Sequence, residues 1–509
     1  MNGPDEPAQA APETGTSRST VARTMITSLV RAALPPLVAV VTLPIVLGRV
    51  SLDDYGLWAT ITGLIAVLAA VDSGLSTVTT RRVAEARGAG DDAAVVEVTR
   101  EAVSVALRLA VVVMPLVALA GWPIMHVIAP PESLVMGMWL WLGVVIYQTV
   151  GWYFAMEAAV ATGLQRGDLA NAANALGAVV GAVVTVVAVL AGLDVYGLLV
   201  GMWALGIVTL VGHLRNARHL TGTTAVWRPQ RAVDARALLV GGVALASLQA
   251  SLLVEPAVAK AVLSAWDGPE AAAAMQVGFT VSRMALVAAM APTAAILVGV
   301  SEWRDTQPER IAGLVRNASY ASLALVAVLA AVMLATGPYV AEAWLGISVP
   351  GIGVAIRTLS VVTIATIVVW LFTQTLLGHG NTRPVTVRLA LGTAVSLIGM
   401  VLAAPTVGLA GVVAASFVGA CVSAVLLSRI DAEYSGIIWR AAVRIGPAMV
   451  ALGVAGAVVV DQVAPTDRWA ALVAASVALV VAVAVVWVLI PGATRGLMVS
   501  TVRGRLGRG

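Results

Sequence analysis

Long apolar runs recur along the whole chain and limit its fold more than any other feature. Each run holds about 17 to 30 residues between charged residues, Gly or Pro, and a helix needs ~20 apolar residues to cross ~30 Å of hydrocarbon. The run after Asp53 and Asp54, for example, ends at the paired Arg81 and Arg82. The sequence therefore predicts about 14 membrane-spanning helices, at roughly 25–48, 55–80, 101–128, 134–162, 169–192, 196–212, 237–263, 270–299, 317–337, 353–378, 389–405, 408–428, 445–463 and 469–490.

The overall composition excludes a water-soluble protein. The chain has 509 residues, of which 60% are hydrophobic and 11% are charged. Soluble domains carry ~25% charged residues, and a single soluble core does not hide this much apolar surface from water. We therefore expect an all-α polytopic membrane protein.

The basic residues alternate along the chain in a way that predicts its orientation. Of the 31 Lys and Arg residues, 24 fall in the two termini and in every second connection, whereas the other connections hold only Arg49 and Arg468 and are rather acidic. Cytoplasmic loops of membrane proteins carry this excess of positive charge. The pattern predicts a multi-pass protein of the cell (plasma or inner) membrane with both termini cytoplasmic, and it argues against a nucleic-acid groove. No cleaved signal peptide is expected, because the segment 1–20 has no apolar core.

A weak internal repeat predicts two related halves. The segment GLQRGDLANAANALG from Gly163 resembles GHGNTRPVTVRLALG from Gly378 at an offset of 215, and Gly197 and Gly411 keep a similar offset of 214. Transporters are often built from such duplications. The predicted division is a disordered cytoplasmic tail (1–20), an N-lobe of six spans (21–215), a cytoplasmic linker (216–236), a C-lobe of six spans (237–430), two further spans (431–492) and a basic cytoplasmic tail (493–509).

Several kinds of enzyme site are missing from the sequence. The only lysine, Lys260, does not follow a glycine-rich loop, so the chain has no GxxxxGK[ST] nucleotide-binding motif. It also has no HExxH motif and no metal-spaced cluster of Cys and His, and its single cysteine, Cys421, leaves no internal disulfide. We therefore predict a protein that is not an enzyme and has no cofactor.

The few ionisable residues deep inside the spans are the candidate functional residues, because charge in the bilayer core is costly. Arg283 is the deepest cation, in span 8, and Arg31 lies one or two turns into span 1. Three carboxylates, Asp72, Glu157 and Glu255, lie in spans 2, 4 and 7. Two interpretations of Arg283 stay open at this point: an ion pair with a carboxylate of a neighbouring helix, or a cation that lines a cavity and holds an anionic head group.

Other cations lie closer to the ends of spans, where a second interpretation applies. The side chains of Arg31 and Arg108, and those of Lys260 and Arg357 near the outer face, can extend to the head-group region instead of facing a cavity. This interpretation stays open for all four.

The opening of the chain resembles a known transporter family. The stretches LGRVSLDDYGLWA (Leu47–Ala59) and AAVDSGLSTVTTRRVAEARGAGD (Ala69–Asp91) are similar to the first two spans of Wzx-type polysaccharide flippases, members of the multidrug/oligosaccharidyl-lipid/polysaccharide exporter (MOP) superfamily. The shared features are a basic residue beside "LG", an acidic turn with "YG", a "GL" pair and an arginine near the inner end of span 2. Further similar pieces are AWLGISVPGIG (Ala343–Gly353) and LLGHGNTR (Leu376–Arg383).

This resemblance implies a fold, a substrate and roles for particular residues. It implies two six-helix lobes around a central cavity, and an undecaprenyl-diphosphate-linked oligosaccharide that moves from the inner to the outer leaflet. Arg31 and Arg283 would contact the diphosphate or acidic sugars. Asp72 and Glu255 would act in gating or ion coupling, with Glu157 as a further candidate. The implied partners are the lipid-linked glycan, membrane lipids, a polysaccharide polymerase and glycosyltransferases.

Two other functions compete with the flippase. A cation-coupled drug or metabolite antiporter of the MATE type, in the same superfamily, would use a cavity rich in carboxylates, and three carboxylates against two arginines do not decide the matter. A membrane-embedded glycan polymerase or ligase would need a sizeable outer loop, and the outer loops here are short.

Overall fold

The described part of the chain is entirely helical. The computed structural model describes residues 18–222, 235–304, 306–463, 468–492 and 494–496, and these residues form helices and short connections with no strand. The helices are α1 (Arg18–Leu47), α2 (Leu52–Ala66), α3 (Ala69–Gly88), α4 (Asp92–Ile128), α5 (Leu134–Gly163), α6 (Gly167–Ala188), α7 (Val195–Thr221), α8 (Ala235–Trp266), α9 (Pro269–Met290), α10 (Ala294–Trp303), α11 (Pro308–Leu345), α12 (Ile352–Gly378), α13 (Thr382–Ser428), α14 (Ala432–Val463) and α15 (Arg468–Leu489).

These 15 helices correspond to the 14 predicted spans. Among the described residues, ten helical segments are long and apolar enough to cross a membrane, including Pro269–Trp303, which joins α9 to α10. The 47-residue α13 supplies two spans, because Gly408 breaks it with φ 60° and ψ −142°. Spans 1 and 7 are α1 and α8, and span 2 is divided into α2 and α3. The predicted all-α polytopic fold is confirmed.

The ends of the helices define two faces of the bundle. The basic face holds the connections α3–α4, α5–α6, α10–α11, α12–α13 and α13–α14, and the acidic face holds α1–α2, α4–α5, α6–α7, α8–α9 and α11–α12. Contacts between distant connections support this division. On the acidic face, Ser264 donates a hydrogen bond to the Ile128 carbonyl at 2.8 Å. On the basic face, Arg304 donates one to the His379 carbonyl at 3.4 Å.

The two halves repeat the same helix packing. Gly163 ends α5 against α3, where a Cβ atom would lie 2.7 Å from the Thr80 carbonyl oxygen. Gly378 ends α12 against α10, where a Cβ atom would lie 2.7 Å from Val300 Cβ. The glycines predicted to be equivalent thus end equivalent helices in equivalent contacts. We call α1–α7 the N-half and α8–α13 the C-half, and α14 and α15 pack on α11.

The halves are joined near the acidic face by one apolar core. That core contains Leu43, Leu57 and Met125 from the N-half together with Val277 and Ile356 from the C-half. Toward the basic face, the described core residues of the N-half come only from α3, α4 and α5. Burial of apolar area stabilises this junction at the acidic face, and α3 of the N-half also packs along α8 of the C-half on the basic side.

Several predicted boundaries fall at or beyond the limits of the described residues. Helix α1 already begins at Arg18, and α7 continues to Thr221, so the first residues of the predicted linker 216–236 are helical. Residues 1–17, 223–234 and most of the predicted basic tail lie outside the described residues.

Candidate functional site

Arg283 lies near the middle of span 8, on the same side of α9 as Pro269, which packs against Gly56 of α2 in the N-half. It comes seven residues after Gln276, and two helical turns bring both side chains to the same face, about 10 Å apart along the axis. Gln276 accepts a hydrogen bond from Lys260 of α8. The opposite side of α9, with Gly278, Ser282 and Ala285, is buried, and Gly278 packs against α12.

The Arg283 side chain is exposed and, within the described part of the chain, forms no ion pair or hydrogen bond. No carboxylate of a neighbouring described helix neutralises it in this conformation. A free guanidinium offers five donors to a planar anion. Its role as a substrate contact stays a prediction.

Arg31 lies on the N-half and is also exposed. Its Nη1 atom donates a hydrogen bond to Asn171 Oδ1 of α6 at 3.3 Å, and Asn171 Nδ2 donates to Thr27 Oγ1 at 3.3 Å. The buried His213 of α7 lies close enough to Arg31 for the two side chains to interact electrostatically. The neutral amide of Asn171 therefore ties Arg31 of span 1 to span 5, and this contact does not cancel the charge of Arg31.

Asp72 follows a local break in span 2. The bonds from Leu68 N to the Ile65 carbonyl and from Ala70 N to the Val67 carbonyl, each 3.0 Å, form a tighter turn between α2 and α3. Asp72 lies in the first turn of α3, partly exposed, and it makes no ion pair with any described residue. A helix N-terminus favours a carboxylate electrostatically.

The other two carboxylates are held inside separate helix packings. Glu157 of α5 is 1% exposed, and neither carboxylate oxygen has a partner in hydrogen-bond geometry, although the Tyr153 hydroxyl one turn earlier is close. Glu255 of α8 is partly exposed and faces the hydroxyls of Ser396 and Ser416, which lie in the two arms of α13, before and after its break at Gly408. No two of the five candidate residues form an ion pair with each other in the described chain.

Lys260 is the residue that sequence reasoning undervalued. Its side chain does not extend to the head-group region: it is 6% exposed, and Nζ donates to Gln276 Oε1 of α9 at 2.8 Å. It also touches α2, where a Cβ atom on Gly63 would lie 2.6 Å from Nζ. One feature of the sequence could have indicated its importance: it is the only lysine of the chain, and it lies inside a predicted span.

The Arg357 side chain also contacts neighbouring helices instead of extending freely to the head-group region. It pairs with Asp461 of α14, with 2.9 Å between Nη1 and Oδ2, and Nε donates to the Leu334 carbonyl of α11 at 3.1 Å. Arg357 thus ties α12 to α11 and α14 near the acidic face. Near the basic face, Arg82 pairs with Glu101 of α4 at 2.8 Å.

We call the contact of α2 and α3 with α8 and α9 the seam between the halves. It is closed at the acidic face by the shared apolar core, and its α8–α9 side carries two cations. Lys260 is covered at the acidic end of the seam, and Arg283 is exposed two turns nearer the basic face. Among the described residues, no group of three His, Cys, Asp or Glu side chains is arranged to hold a metal. The arrangement suits an anion better than a metal ion.

Comparisons with known proteins identify the fold. No family model and no curated protein matches the chain. Its structure is similar to that of the lipid II flippase MurJ in an inward closed conformation, with 10% identity, a TM-score of 0.63, and coverage of 92% of this chain and 97% of that one.

It is also similar to an outward-facing multidrug resistance MATE transporter, with 16% identity, a TM-score of 0.54, and coverage of 86% and 97%. A MOP superfamily transporter from Pyrococcus furiosus gives 17% identity, a TM-score of 0.53, and coverage of 84% and 96%. The chain therefore has the fold of MOP-superfamily transporters over nearly its whole length.

Proposed function

We propose that this protein is a flippase that moves an undecaprenyl-diphosphate-linked oligosaccharide from the inner to the outer leaflet by alternating access. The observation that carries the proposal is the exposed Arg283, which faces the seam between the halves and has no counter-ion in the described chain. A diphosphate does not cross hydrocarbon unaided, whereas its isoprenoid chain can stay in the lipid. The protein has to shelter only the head group, and a guanidinium binds phosphate oxygens through two parallel hydrogen bonds.

The position of Arg31 supports the same substrate class. Arg31 and Arg283 belong to spans 1 and 8, one in each half, and both are exposed. The fold shared with MurJ supports a lipid-linked substrate. The lipid-linked glycan, surrounding lipids and enzymes that make or polymerise the glycan are the partners we expect, in the cell membrane with both termini cytoplasmic.

The test is translocation by purified protein in proteoliposomes. Undecaprenyl-diphosphate-linked oligosaccharide placed in one leaflet is followed as it becomes accessible to a sugar-cleaving enzyme on the other side. Arg283→Ala is expected to lower the rate at least tenfold, because a charge-assisted hydrogen bond contributes ~1.5–3 kcal/mol. Arg310→Ala removes an exposed arginine at the start of α11 and should leave the rate within twofold. Full translocation by well-folded Arg283→Ala protein would contradict the cavity role.

A second candidate function is a cation-coupled drug or metabolite antiporter of the MATE type. The observation that favours it is Glu157, which is buried with neither carboxylate oxygen in hydrogen-bond geometry. A buried carboxylate of this kind can exchange a proton or cation during transport. The antiporter predicts that Glu157→Gln abolishes proton-driven efflux of an organic cation from proteoliposomes, whereas the flippase predicts no such efflux by the wild-type protein.

A further inference from the structure

Lys260 occupies the contact between the two halves near the acidic face. Its helix, α8, and its hydrogen-bond partner Gln276 both belong to the C-half, whereas the glycine that covers its ammonium group, Gly63, belongs to the N-half. The lysine lies six residues before Trp266 at the end of α8, about 9 Å from that end.

Stability alone does not explain a lysine at this position. An ammonium group has three donors, and one amide oxygen accepts from it here. No described carboxylate forms an ion pair with it. Burying a cation with so few partners is unfavourable, and an apolar side chain of similar length would fill the space without that cost.

The covering glycine leaves just enough room for the ammonium group. A Cβ atom at position 63 would lie 2.6 Å from Lys260 Nζ and 2.8 Å from its Cε. Parting of the halves at the acidic face would remove Gly63 from Lys260, but it would leave Gln276, which moves with the same half. The ammonium group would then be uncovered while still held in place by its hydrogen bond.

Lys260 is also aligned with Arg283. Gln276 and Arg283 leave the same face of α9 two turns apart, so the uncovered ammonium would stand about 10 Å nearer the acidic face than the guanidinium. The two cations therefore follow one another along α9 in the direction from the basic to the acidic face.

An apolar groove lies on the other side of the same helix contact. It has a volume of about 440 Å³, and its lining comes from α2, α4 and α8 and includes Leu64, Val127, Ala261 and Trp266. Leu64 and Ala261 are the chain neighbours of Gly63 and Lys260. A lipid chain therefore has an apolar surface beside the position where the head group would meet Lys260.

We propose that Lys260 is a second contact for the diphosphate head group, used when the halves part at the acidic face, with the isoprenoid chain in the adjoining groove. This inference rests on the proposed flippase function. In this proposal the two cations act in successive steps of transport. Arg283 binds the head group before the change of conformation, and Lys260 binds it afterwards.

Substitution of Lys260 tests this assignment directly. Lys260→Met keeps the length of the side chain and removes its charge, and Lys260→Arg keeps a cation. Binding of undecaprenyl diphosphate to protein closed at the acidic face should stay within twofold for Lys260→Met, because that step uses Arg283. Translocation in proteoliposomes should fall at least tenfold, and Lys260→Arg should recover at least a third of the wild-type rate. Wild-type translocation by Lys260→Met would overturn the assignment while leaving the flippase intact.

The single lysine also allows a measurement that does not use transport. An amine-selective reagent labels Lys260 and the N-terminal amine, which peptide mapping separates, and the N-terminal amine serves as the internal control. In a variant with the halves parted at the acidic face, undecaprenyl diphosphate should slow labelling of Lys260 at least fivefold, and undecaprenol, which has no phosphate, should not.

Equal labelling with and without undecaprenyl diphosphate would overturn the Lys260 contact if wild-type protein binds this lipid. Failure of wild-type protein to bind it at all would overturn both the contact and the proposed function.

Discussion

Arg283 and Lys260 are cations on consecutive helices, and their surroundings are opposite. Arg283 is exposed, whereas Lys260 is 6% exposed and bonded to Gln276. Hydropathy locates both residues inside spans, but it does not distinguish the two environments. The distinction depends on Gly63, which lies in the other half of the chain and whose lack of a side chain makes room for the ammonium group.

The Arg357–Asp461 pair gives a residue-scale prediction about stability. Asp461→Asn removes the charge that Arg357 faces, and both side chains are partly exposed, at 28% and 43%. Exposed ion pairs contribute ~1 kcal/mol or less. We expect thermal unfolding in detergent to shift down by a few degrees, with translocation unchanged.

Glu309→Gln, at an exposed position in the first turn of α11, is the matched control and should not shift unfolding. High salt should narrow the difference between Asp461→Asn and wild type, because it screens the pair. A large loss of translocation in folded Asp461→Asn protein would show that the pair has more than a structural role.

The candidate residues could be found from the sequence, but their partners could not. Charge inside an apolar run is visible by inspection, and this identified Arg31, Asp72, Glu157, Glu255 and Arg283. The hydroxyls that face Glu255 come from α13, which is separated from α8 by four intervening helices. No spacing rule predicts such a pairing, because it depends on which helix faces which after folding.

At the scale of elements, the two halves resemble each other more clearly in their helix packing than in their amino-acid identity. In the α6–α7 hairpin, a Cβ atom on Gly177 would overlap the Thr209 hydroxyl and lie 2.9 Å from the Leu205 carbonyl oxygen. Between the arms of α13, a Cβ atom on Gly392 would overlap the Ser423 hydroxyl and lie 2.9 Å from a facing carbonyl oxygen. Gly177 and Gly392 keep the same offset as Gly163 and Gly378.

This equivalence predicts matched effects of matched substitutions. Gly177→Ala and Gly392→Ala each force a methyl group against a facing backbone, and overpacking of this kind costs ~1–3 kcal/mol. We expect both variants to unfold at similarly reduced temperatures in detergent. Gly313→Ala in α11, where a Cβ atom has no neighbour within 4 Å, should leave unfolding unchanged. A lower unfolding temperature in only one of the two variants would contradict equivalent packing of the two hairpins.

The sequence predicted the helices well and their internal breaks less well. Apolar length was sufficient to find 14 spans, including the two joined in α13. The division of span 2 into α2 and α3 was not anticipated, because the break at Leu68 contains neither Pro nor Gly and depends on local hydrogen bonding. It matters for the site, since it places Asp72 at a new helix N-terminus.

At the scale of the whole molecule, the charge alternation predicts which face is cytoplasmic. The exposed Glu132 lies on the acidic face, and Asp92, with a side chain that is 86% exposed, lies at the start of α4 on the basic face. In a Cys421→Ser background, a membrane-impermeant maleimide applied to intact cells should label Glu132→Cys and not Asp92→Cys. Permeabilised cells should label both variants, and the reverse pattern in intact cells would place the termini outside.

The contact between α2 and α9 controls whether the halves can meet at the acidic face. Gly56 packs so closely on Pro269 that a Cβ atom would overlap the Pro269 carbonyl group, and it would lie 3.1 Å from the Ala273 nitrogen. These atoms belong to the backbone and cannot move aside alone. Gly56→Ala should therefore destabilise the conformation closed at the acidic face by ~1–3 kcal/mol, which changes the ratio of conformers about 5- to 150-fold.

The expected result for Gly56→Ala is faster amine labelling of Lys260 together with slower translocation, because each cycle must return through the destabilised closed conformation. Gly88→Ala is the control, since a Cβ atom at the end of α3 meets nothing within 4 Å. An unchanged labelling rate in folded Gly56→Ala protein would show that the seam tolerates the methyl group. Faster labelling with unchanged translocation would instead show that closure at the acidic face does not limit the cycle, and the slow step would then lie on the basic side, where Arg283 is exposed.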